Sequence, residues 1–350
     1  MTSKPEGFSI AGTVVAPGTR TTMELPVSSI YSHAPMNLPL QVICGKRSGP
    51  RLFVSAAVHG DEINGVEIIR RLLRLPLLKR LRGTLLAIPI VNVYGFVNRS
   101  RYLPDRRDLN RSFPGSVRGS MAARLADLFL KEIVDQCDYG IDLHTGAIHR
   151  DNLPQIRANL DDPETARIAN AFHVPVLLNA DLRDGSLRQI AAERGIPMLL
   201  YEAGEALRFD ERAIRAGVKG IIAVMRELDM LPASSRKGRH SEPLVARSTY
   251  WVRAERSGIL RATAALGTRV RRGENVGVIA DPFGEQEDDV HASNNGIIIG
   301  RTNLPLVNEG EALFHIARFE STREAAHIVD AFQADELPLG PALDDEPPIV

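Results

Sequence analysis

The segment VHGDEINGVE contains two residues that could bind a metal ion. His59 and Glu62 are separated by two residues and follow an apolar run of small residues, so both could reach one ion from the loop after a strand. A catalytic zinc ion usually has three protein ligands and keeps one position for water. The pair has a second interpretation, because it could also form a capping loop before a helix that begins at Asn64.

In the segment YGIDLHTG, the apolar run ends at His144, which could supply the third ligand. With the first pair, His144 would complete a His, Glu, His set of the kind that holds hydrolytic zinc. Asp142 precedes it by two residues and would point to the same face of a strand, so we expect Asp142 to orient His144. The alternative is a histidine at a strand end whose hydrogen bonds are satisfied locally.

A carboxylate stands at the end of the otherwise apolar run IPMLLYEAG. Glu202 would be costly there unless it were paired or used in chemistry. Beside a metal ion, a carboxylate can take a proton from water and later deliver it to a leaving amine. Glu202 therefore fits a general base, and its alternative is a helix cap or an ion-pair partner.

The segment RSRYLPDRRDLNRSFPG holds five arginines between Arg99 and Arg111. Arginine offers planar pairs of donors to carboxylates, so an arginine-rich loop near a zinc site suggests a substrate that carries a carboxylate. Some of these arginines would instead be solvated or paired with Asp105 and Asp108.

The elements that would position these residues alternate along the chain. The patterns predict strands at 38–44, 51–58, 84–93, 139–144 and 196–204 and in VPVLLN, and helices at 64–75, 121–137, 163–172, 185–194 and 210–229. Such alternation predicts a mixed, mostly parallel sheet with helices on both faces. Reactive residues of such sheets gather at the carboxyl ends of strands, where His59, His144 and Glu202 would lie.

The chain divides by composition into five parts. We expect an N-terminal extension at 1–44, a catalytic α/β domain at 45–231, a polar linker at 232–243, a small all-β, barrel-like domain at 244–320, and a C-terminal helix with an acidic tail at 321–350. The fourth part shows short β-rich runs separated by glycines and no convincing helical periodicity.

The overall composition excludes several classes of protein. The 43 Lys and Arg residues balance the 43 Asp and Glu residues, which argues against binding to nucleic acid or to a membrane surface. The two cysteines, Cys44 and Cys137, cannot form a disulfide framework, and no apolar stretch is long enough for a membrane span. We expect a cytoplasmic protein, with a homo-oligomer possible.

Four motifs in a fixed order, HGDE, DLNR, DLHTG and YEAG, resemble those of the succinylglutamate desuccinylase and aspartoacylase family. That family is related to the zinc carboxypeptidases, and the resemblance spans roughly residues 45–230. It implies a zinc carboxypeptidase-like α/β fold and one Zn²⁺ per chain. Each motif alone is weak, and their order makes the resemblance specific.

The resemblance also implies roles for individual residues. His59, Glu62 and His144 would hold zinc, and Glu202 would be the general base for water activated by the metal. Asn110 and Arg111 would bind a substrate carboxylate. Arg101 would polarise the scissile carbonyl, although its distance from DLNR along the chain leaves Arg106 and Arg107 open for that role.

The β-rich C-terminal part is similar to the small barrel of that family, which shares features with lipoyl and biotinyl carriers. A carrier needs a lysine to modify, and no lysine follows Lys237. A covalent carrier role is therefore excluded, and the region would shape the site entrance or an oligomer interface.

The leading hypothesis is a zinc hydrolase that deacylates a small N-acyl amino acid or a similar carboxylate-bearing amide. A zinc carboxypeptidase acting on short peptides is the alternative within the enzymes. A non-catalytic metal-binding or interaction protein is the alternative from another class.

Overall fold

The computed structural model describes residues 7–29, 31–180, 183–234 and 243–335. Its strands are β1 (Phe8–Ile10), β2 (Thr13–Val15), β3 (Arg20–Ser29), β4 (Pro35–Cys44), β5 (Arg47–Ala56), β6 (Arg82–Ile88), β7 (Tyr139–Gly146), β8 (Arg150–Ala158), β9 (Val176–Asn179), β10 (Met198–Glu205), β11 (Leu244–Ala246), β12 (Ser248–Arg253), β13 (Gly258–Ala262), β14 (Arg269–Val270), β15 (Asn275–Ala280), β16 (Glu287–His291), β17 (Gly296–Thr302), β18 (Leu306–Val307) and β19 (Ala312–Arg318). Its α-helices are α1 (Asn64–Arg74), α2 (Val93–Asn98), α3 (Met121–Glu132), α4 (Pro163–Ala171), α5 (Leu187–Glu193), α6 (Glu211–Glu227) and α7 (Thr322–Asp335), and short 3₁₀ helices occupy Pro76–Arg80, Leu109–Arg111 and Val134–Gln136.

A large mixed sheet runs through the molecule in the order β12-β19-β17-β8-β10-β7-β5-β6-β4-β3, with β9, β11 and β14 attached beside this path. The expectation of a mixed sheet is confirmed. Within the predicted catalytic range 45–231, four of the five strand pairs are parallel, as expected, whereas the strands that extend this path on both sides of that range are antiparallel. Along the path, only the central strands β10, β7, β5 and β6 pair in parallel. The flanks are antiparallel because their neighbours, such as β3 with β4 and β17 with β19, enter the sheet without a helical crossover.

Helices cover both faces of the central strands, as the sequence predicts. On one face, α1, α4 and α6 pack against the sheet through side chains such as Ile68, Ile168 and Ile221. On the other face, α3 and α5 pack through Leu125, Phe129 and other buried side chains. The parallel strands are therefore buried on both sides, which explains their continuous apolar runs.

The segment before residue 45 belongs to this same sheet. β4 pairs with β6 over Gln41 to Cys44, and Phe8, Leu25 and Leu38 lie in the core beneath α3. The first 44 residues, described from residue 7 onward, therefore complete one edge of the α/β unit. A boundary at 44 to 45 would separate β4 from its own sheet.

The C-terminal β-rich region has its own core but is continuous with the catalytic sheet. β13, β15, β16 and β18 form a four-stranded sheet, which packs with β12, β17 and β19 around buried side chains such as Val276, Ile298 and Phe314. β17 also pairs with β8 at Asn152, and β11 pairs with β9. One of the two sheets of this region thus extends the central sheet. Its description as a separate barrel-like domain stays a prediction.

Most of the predicted elements are present, but the sequence analysis assigned no element to β1, β2, β3, α2 or β8. The sequence analysis continued one strand to residue 93, whereas β6 ends at Ile88 and Val93 begins α2. It assigned nothing to β8, whose sequence RDNLPQIRA contains a proline and several polar residues. Most of the predicted linker and the acidic tail lie outside the described residues. Within the described ranges, no helix combines the length and apolar character that crossing a membrane requires.

Candidate metal centre and its surroundings

The loop after β5 brings His59 and Glu62 to the same point. A turn closes when the backbone N–H of Glu62 donates to the carbonyl of His59 over 3.1 Å. Gly60 lies inside this turn against α2, where a Cβ atom would come within 1.9 Å of the carbonyl carbon of Gly95. A side chain at position 60 would therefore push the loop away from α2.

His59, Glu62 and His144 form a buried cluster whose three candidate ligand atoms lie within 4.8 Å of one another. The Nδ1 atoms of His59 and His144 each lie 2.7 Å from a different oxygen of Glu62. The backbone N–H of Thr145 also donates to Glu62, over 3.2 Å. β5 and β7 are neighbours in the sheet, and this adjacency joins residues that are 82 positions apart in sequence.

A second carboxylate faces the outer nitrogen of each imidazole. Asp142 lies 2.7 Å from Nε2 of His144 and is itself held by the hydroxyl of Ser55, which donates over 2.7 Å. Asp108 lies 3.1 Å from Nε2 of His59. With a proton held at Nε2 by these carboxylates, Nδ1 of each ring would be available to bind a metal ion.

The charges in this cluster shift the titration of its members. Burial opposes the charged form of His144, but Asp142 and Glu62 outweigh that effect and raise its pKa well above the ordinary value. Burial likewise opposes protonation of His59, whose pKa is nevertheless raised by Glu62 and Asp108. Burial acts against the charged form of Glu62 as well, yet the two histidines lower the pKa of this carboxyl well below its usual range.

This donor set fits a divalent transition metal. Two imidazole nitrogens and one carboxylate converge, the other ring nitrogens are oriented by carboxylates, and the three side chains are buried. Two histidines and one glutamate are the ligands of hydrolytic zinc sites, which keep one position open. The three predicted ligands are therefore brought together, and the cluster could bind a metal ion.

Arg101 is the arginine of the loop that reaches this cluster. Its Nη1 lies 3.3 Å from Oε1 of Glu62, and its Nη2 donates to Asp108 over 2.9 Å. Arg106 and Arg107 are exposed, and Arg107 lies 3.9 Å from Asp105. Of the three arginines left open by the sequence, the structure places Arg101 beside the candidate ligands.

Asn110 and Arg111 follow Asp108 in a short 3₁₀ helix. Asp108 caps this helix by accepting from the backbone N–H of Asn110 over 2.8 Å. Oδ1 of Asn110 accepts from the backbone N–H of Leu187, which leaves the NH₂ group of that buried side chain as its remaining donor. Arg111 is exposed, and burial of part of its guanidinium together with Arg183 and Arg101 lowers its pKa. Arg101, Arg111 and Arg183 thus form a cationic region beside the cluster.

Glu202 lies on β10 directly beside His144 of β7 in the sheet register. Its Oε1 accepts from the amide of Asn152 over 2.9 Å, and its Oε2 lies 2.5 Å from Nε of Arg157. The side chain is 18% exposed, compared with 2% for Glu62, so solvent can reach it. Glu202 is therefore an ion-pair partner of Arg157, as the alternative interpretation predicted, and it also lies beside His144 of the candidate site.

Sequence reasoning missed four residues near the site. Asp108 was considered only as a partner for arginines, and Asn152, Arg157 and Arg183 were not considered. Asp108 follows no strand and comes 49 residues after His59, so no spacing links the two. The polar residues of β8, in the sequence RDNLPQIRA, were the only feature of the sequence that could have pointed to Asn152 and Arg157.

Comparison with known proteins gives a consistent result. A curated relative, the N-alpha-acetyl-L-2,4-diaminobutyric acid deacetylase of Halomonas elongata, is 28% identical over 323 residues, covering 84% of this chain and 90% of the relative. A solved succinylglutamate desuccinylase/aspartoacylase of Rhodobacter sphaeroides is 25% identical with a TM-score of 0.77, covering 86% of this chain and 96% of its own. The product-bound ectoine utilization protein EutE of Ruegeria pomeroyi shares the fold at 23% identity with a TM-score of 0.77, covering 86% of this chain and 95% of its own.

The model of the succinylglutamate desuccinylase/aspartoacylase catalytic domain matches residues 48–228. This range contains all three candidate ligands as well as Arg101, Asn110 and Glu202. Because the match covers more than half of the 350 residues, the chain belongs to the succinylglutamate desuccinylase/aspartoacylase family.

Proposed function

We propose that this protein is a zinc-dependent hydrolase that removes the acyl group from a small N-acyl amino acid by cleaving its amide bond. The observation that carries the proposal is the buried cluster of His59, Glu62 and His144 with Glu202 beside it on the next strand. Members of the family are deacylating hydrolases that act on amides. The arrangement offers metal ligands and a separate solvent-accessible carboxylate, which amide hydrolysis requires.

His59, Glu62 and His144 would hold the zinc ion through Nδ1, a carboxylate oxygen and Nδ1. When bound, zinc supplies Lewis acidity that polarises a carbonyl and lowers the pKa of water. Asp108 and Asp142 fix the orientation of the two imidazoles through Nε2. Such outer carboxylates raise the basicity of the ligating nitrogen and hold the ring in position.

Glu202 would act as the general base. It takes a proton from the attacking water and then delivers that proton to the leaving nitrogen, so the carboxylate is regenerated when the amide bond has broken. Its 18% exposure permits water to approach, and its register with His144 supports a position beside the proposed ligands. Arg101 would stabilise the negative charge that develops on the carbonyl oxygen, since its guanidinium reaches the cluster.

The cationic region supports a substrate with a carboxylate. Asn110 and Arg111 would donate to that carboxylate, and Arg183 adds a further positive group nearby. Since one relative deacetylates an N-acetyl diamino acid, N-acetylated amino acids and diamino acids are the first compounds to assay. A cytoplasmic location and a homo-oligomer stay predictions of the sequence.

The test is metal content and hydrolysis of a panel of N-acyl amino acids and short peptides, for the wild type and for Glu202→Gln. We expect about one zinc per chain in both proteins and a loss of kcat of roughly 10²-fold or more in the variant. Glu205→Gln is the matched control, because Glu205 lies on the same strand but accepts from Asn303 and His149 instead.

Three results would contradict the proposal. A wild type that binds no metal would overturn the zinc site, and a fully active Glu202→Gln would overturn the general base. Hydrolysis of peptides in preference to N-acyl amino acids would assign the protein to the carboxypeptidase alternative.

A further inference from the structure

The environment of Glu202 is built largely by one neighbouring strand. Asn152 and Arg157 both belong to β8, and each contacts a different oxygen of the Glu202 carboxylate, at 2.9 Å and 2.5 Å. Asn152 is buried, and the side chain of Arg157 is 21% exposed. An ionised carboxylate has about four acceptor positions, so the hydrogen bond from Asn152 and the positive charge of Arg157 hold the Glu202 carboxylate and leave other positions free for a proton.

β8 is also the strand to which the C-terminal β-rich region attaches. Asn152 lies opposite Gly300 of β17, and Gly300 lies opposite His315 of β19. A Cβ atom at position 300 would come within 2.6 Å of Oδ1 of Asn152 and 3.3 Å of Cβ of His315. Because Gly300 has no side chain, the amide of Asn152 can occupy the space beside it.

His315 and Trp251 continue this contact further into the C-terminal region. Their rings stack with centroids 4.3 Å apart, and the guanidinium of Arg150 lies 4.7 Å from the centre of the Trp251 ring. Burial, together with the charges of Arg157 and Arg150, lowers the pKa of His315 to about 3. The His315 ring near Arg157 is therefore uncharged at neutral pH, and it adds no second positive charge beside the Glu202 carboxylate.

We propose that Asn152 and Arg157 are positioning residues for Glu202, and that Gly300 of the C-terminal region permits this arrangement by leaving space for the Asn152 amide. The inference rests on the proposed role of Glu202 as the general base. It gives the C-terminal β-rich region a direct part in the geometry of the reaction.

Gly300→Ala tests this with a small change. The atom that must shift is the end of the Asn152 side chain, so the fold should persist while the amide moves. A small misplacement of a catalytic group lowers the rate of the chemical step, so we expect kcat to fall roughly 10-fold with KM and zinc content unchanged. Gly277→Ala is the matched control, since Gly277 lies on β15 in the four-stranded sheet that contains none of the catalytic strands.

A double-mutant cycle identifies the route of the effect. Asn152→Ala removes the amide without adding bulk, and we expect a similar fall in kcat. Adding Gly300→Ala to Asn152→Ala should cost nothing more, because the group that the new methyl displaces is already gone. Arg157→Lys should keep more activity than Arg157→Met, since a lysine keeps the positive charge beside the Glu202 carboxylate.

The outcomes separate this inference from the proposed function. Wild-type kcat in both Gly300→Ala and Asn152→Ala, or fully additive losses in the double variant, would overturn the positioning role even if Glu202→Gln is inactive. An active Glu202→Gln would overturn the proposed function itself. Should Gly300→Ala fail to fold, Asn152→Ala and the two Arg157 variants decide alone through kcat, KM and zinc content.

Discussion

The candidate site has two sides that are held in different ways. On the ligand side, His59, Glu62 and His144 are at most 5% exposed, and both nitrogens of each histidine face a carboxylate. On the base side, Glu202 is 18% exposed and held from β8. The ligand side is therefore fixed by direct pairing, whereas the base side depends on packing against the C-terminal strands.

Buried polar atoms sharpen this difference. Among the described residues on the base side, Nε of Arg157, both amide atoms of Gln155 and Nδ1 of His315 have no hydrogen-bond partner. Next to the ligands, Oδ1 of Asp61 has none either, whereas His59, Glu62 and His144 are themselves paired. Gln155 lies opposite Glu202 in the sheet register, and His315 lies two strands beyond β8. A fully paired cluster resists displacement, while a region with unpaired polar groups is easier to repack. Mutations should therefore affect metal binding on one side and catalytic geometry on the other.

The largest effect is expected on the ligand side. Glu62→Gln removes the charge that both imidazoles face, so metal binding should weaken strongly and kcat/KM should fall by about 10³-fold or more. Metal content and steady-state kinetics measure this. Glu67→Gln provides a comparison outside the site, because Glu67 pairs with Arg70 and Arg71 on α1. Retention of both metal and activity by Glu62→Gln would contradict the assignment of the ligand.

Removal of the metal should lower stability. A ligand that binds only the folded state stabilises it by about 2.7 kcal/mol when its concentration is 100 times its Kd. A chelator should therefore lower the Tm of the wild type and leave that of His59→Ala almost unchanged. Equal Tm values of the wild type with and without chelator, at matched protein concentration, would argue against a metal site.

The outer carboxylates should matter less than the ligands. Asp142→Asn weakens the hold on Nε2 of His144, and changes of this kind typically reduce metal affinity about 10- to 100-fold. Competition with a chromogenic chelator gives the affinity. Asp108→Asn should lower affinity similarly and also raise KM, because Asp108 additionally holds Arg101 and caps the helix that carries Asn110. Identical kinetic effects of the two variants would contradict this distinction.

The smallest effect is expected at His315, as a dependence of stability on pH. Folded His315 has a pKa of about 3, against 6.5 for an ordinary histidine, so the unfolded chain binds more protons between these values. Stability should therefore fall as the pH drops below 6.5, and this histidine contributes up to about 2 kcal/mol of loss by pH 5.

His315→Phe keeps a ring against Trp251 and removes this titration. Denaturant unfolding of both proteins from pH 8 to pH 5 should show a shallower loss in the variant. Asp151, whose pKa is raised to about 6 by burial and by Asp210 and Glu205, acts in the opposite direction. It is present in both proteins and cancels in the difference, so parallel pH curves would refute the prediction.

Much of the site could be predicted because its residues stand in regular places. His59, His144 and Glu202 follow or end apolar strands, and each strand is recognisable because it is buried on both faces. Asp142 could be predicted from the alternation of side chains along β7. The roles of Asn110, Arg101 and Arg111 came from resemblance, and the structure adds their proximity to the cluster.

The rest depended on contacts that no local pattern encodes. β8 was missed because its sequence contains a proline and several polar residues and shows neither alternation nor a continuous apolar run. The antiparallel flanks of the sheet were missed because single strands carry no mark of their direction. The continuity of the sheet into the C-terminal region depends on the pairing of β8 with β17, between residues about 150 positions apart.

The sequence by itself determined which side chains are available for chemistry here: two histidines and a glutamate as candidate ligands, a further glutamate as candidate base, and arginines that could bind a carboxylate. Local spacing suffices for this because strand ends deliver side chains to one edge of a sheet. Only the tertiary structure decided which carboxylate supports His59, which arginine reaches the cluster, and which strands hold Glu202. The chain offers several carboxylates and arginines of the same chemistry, and only long-range packing determines which of them reach the site.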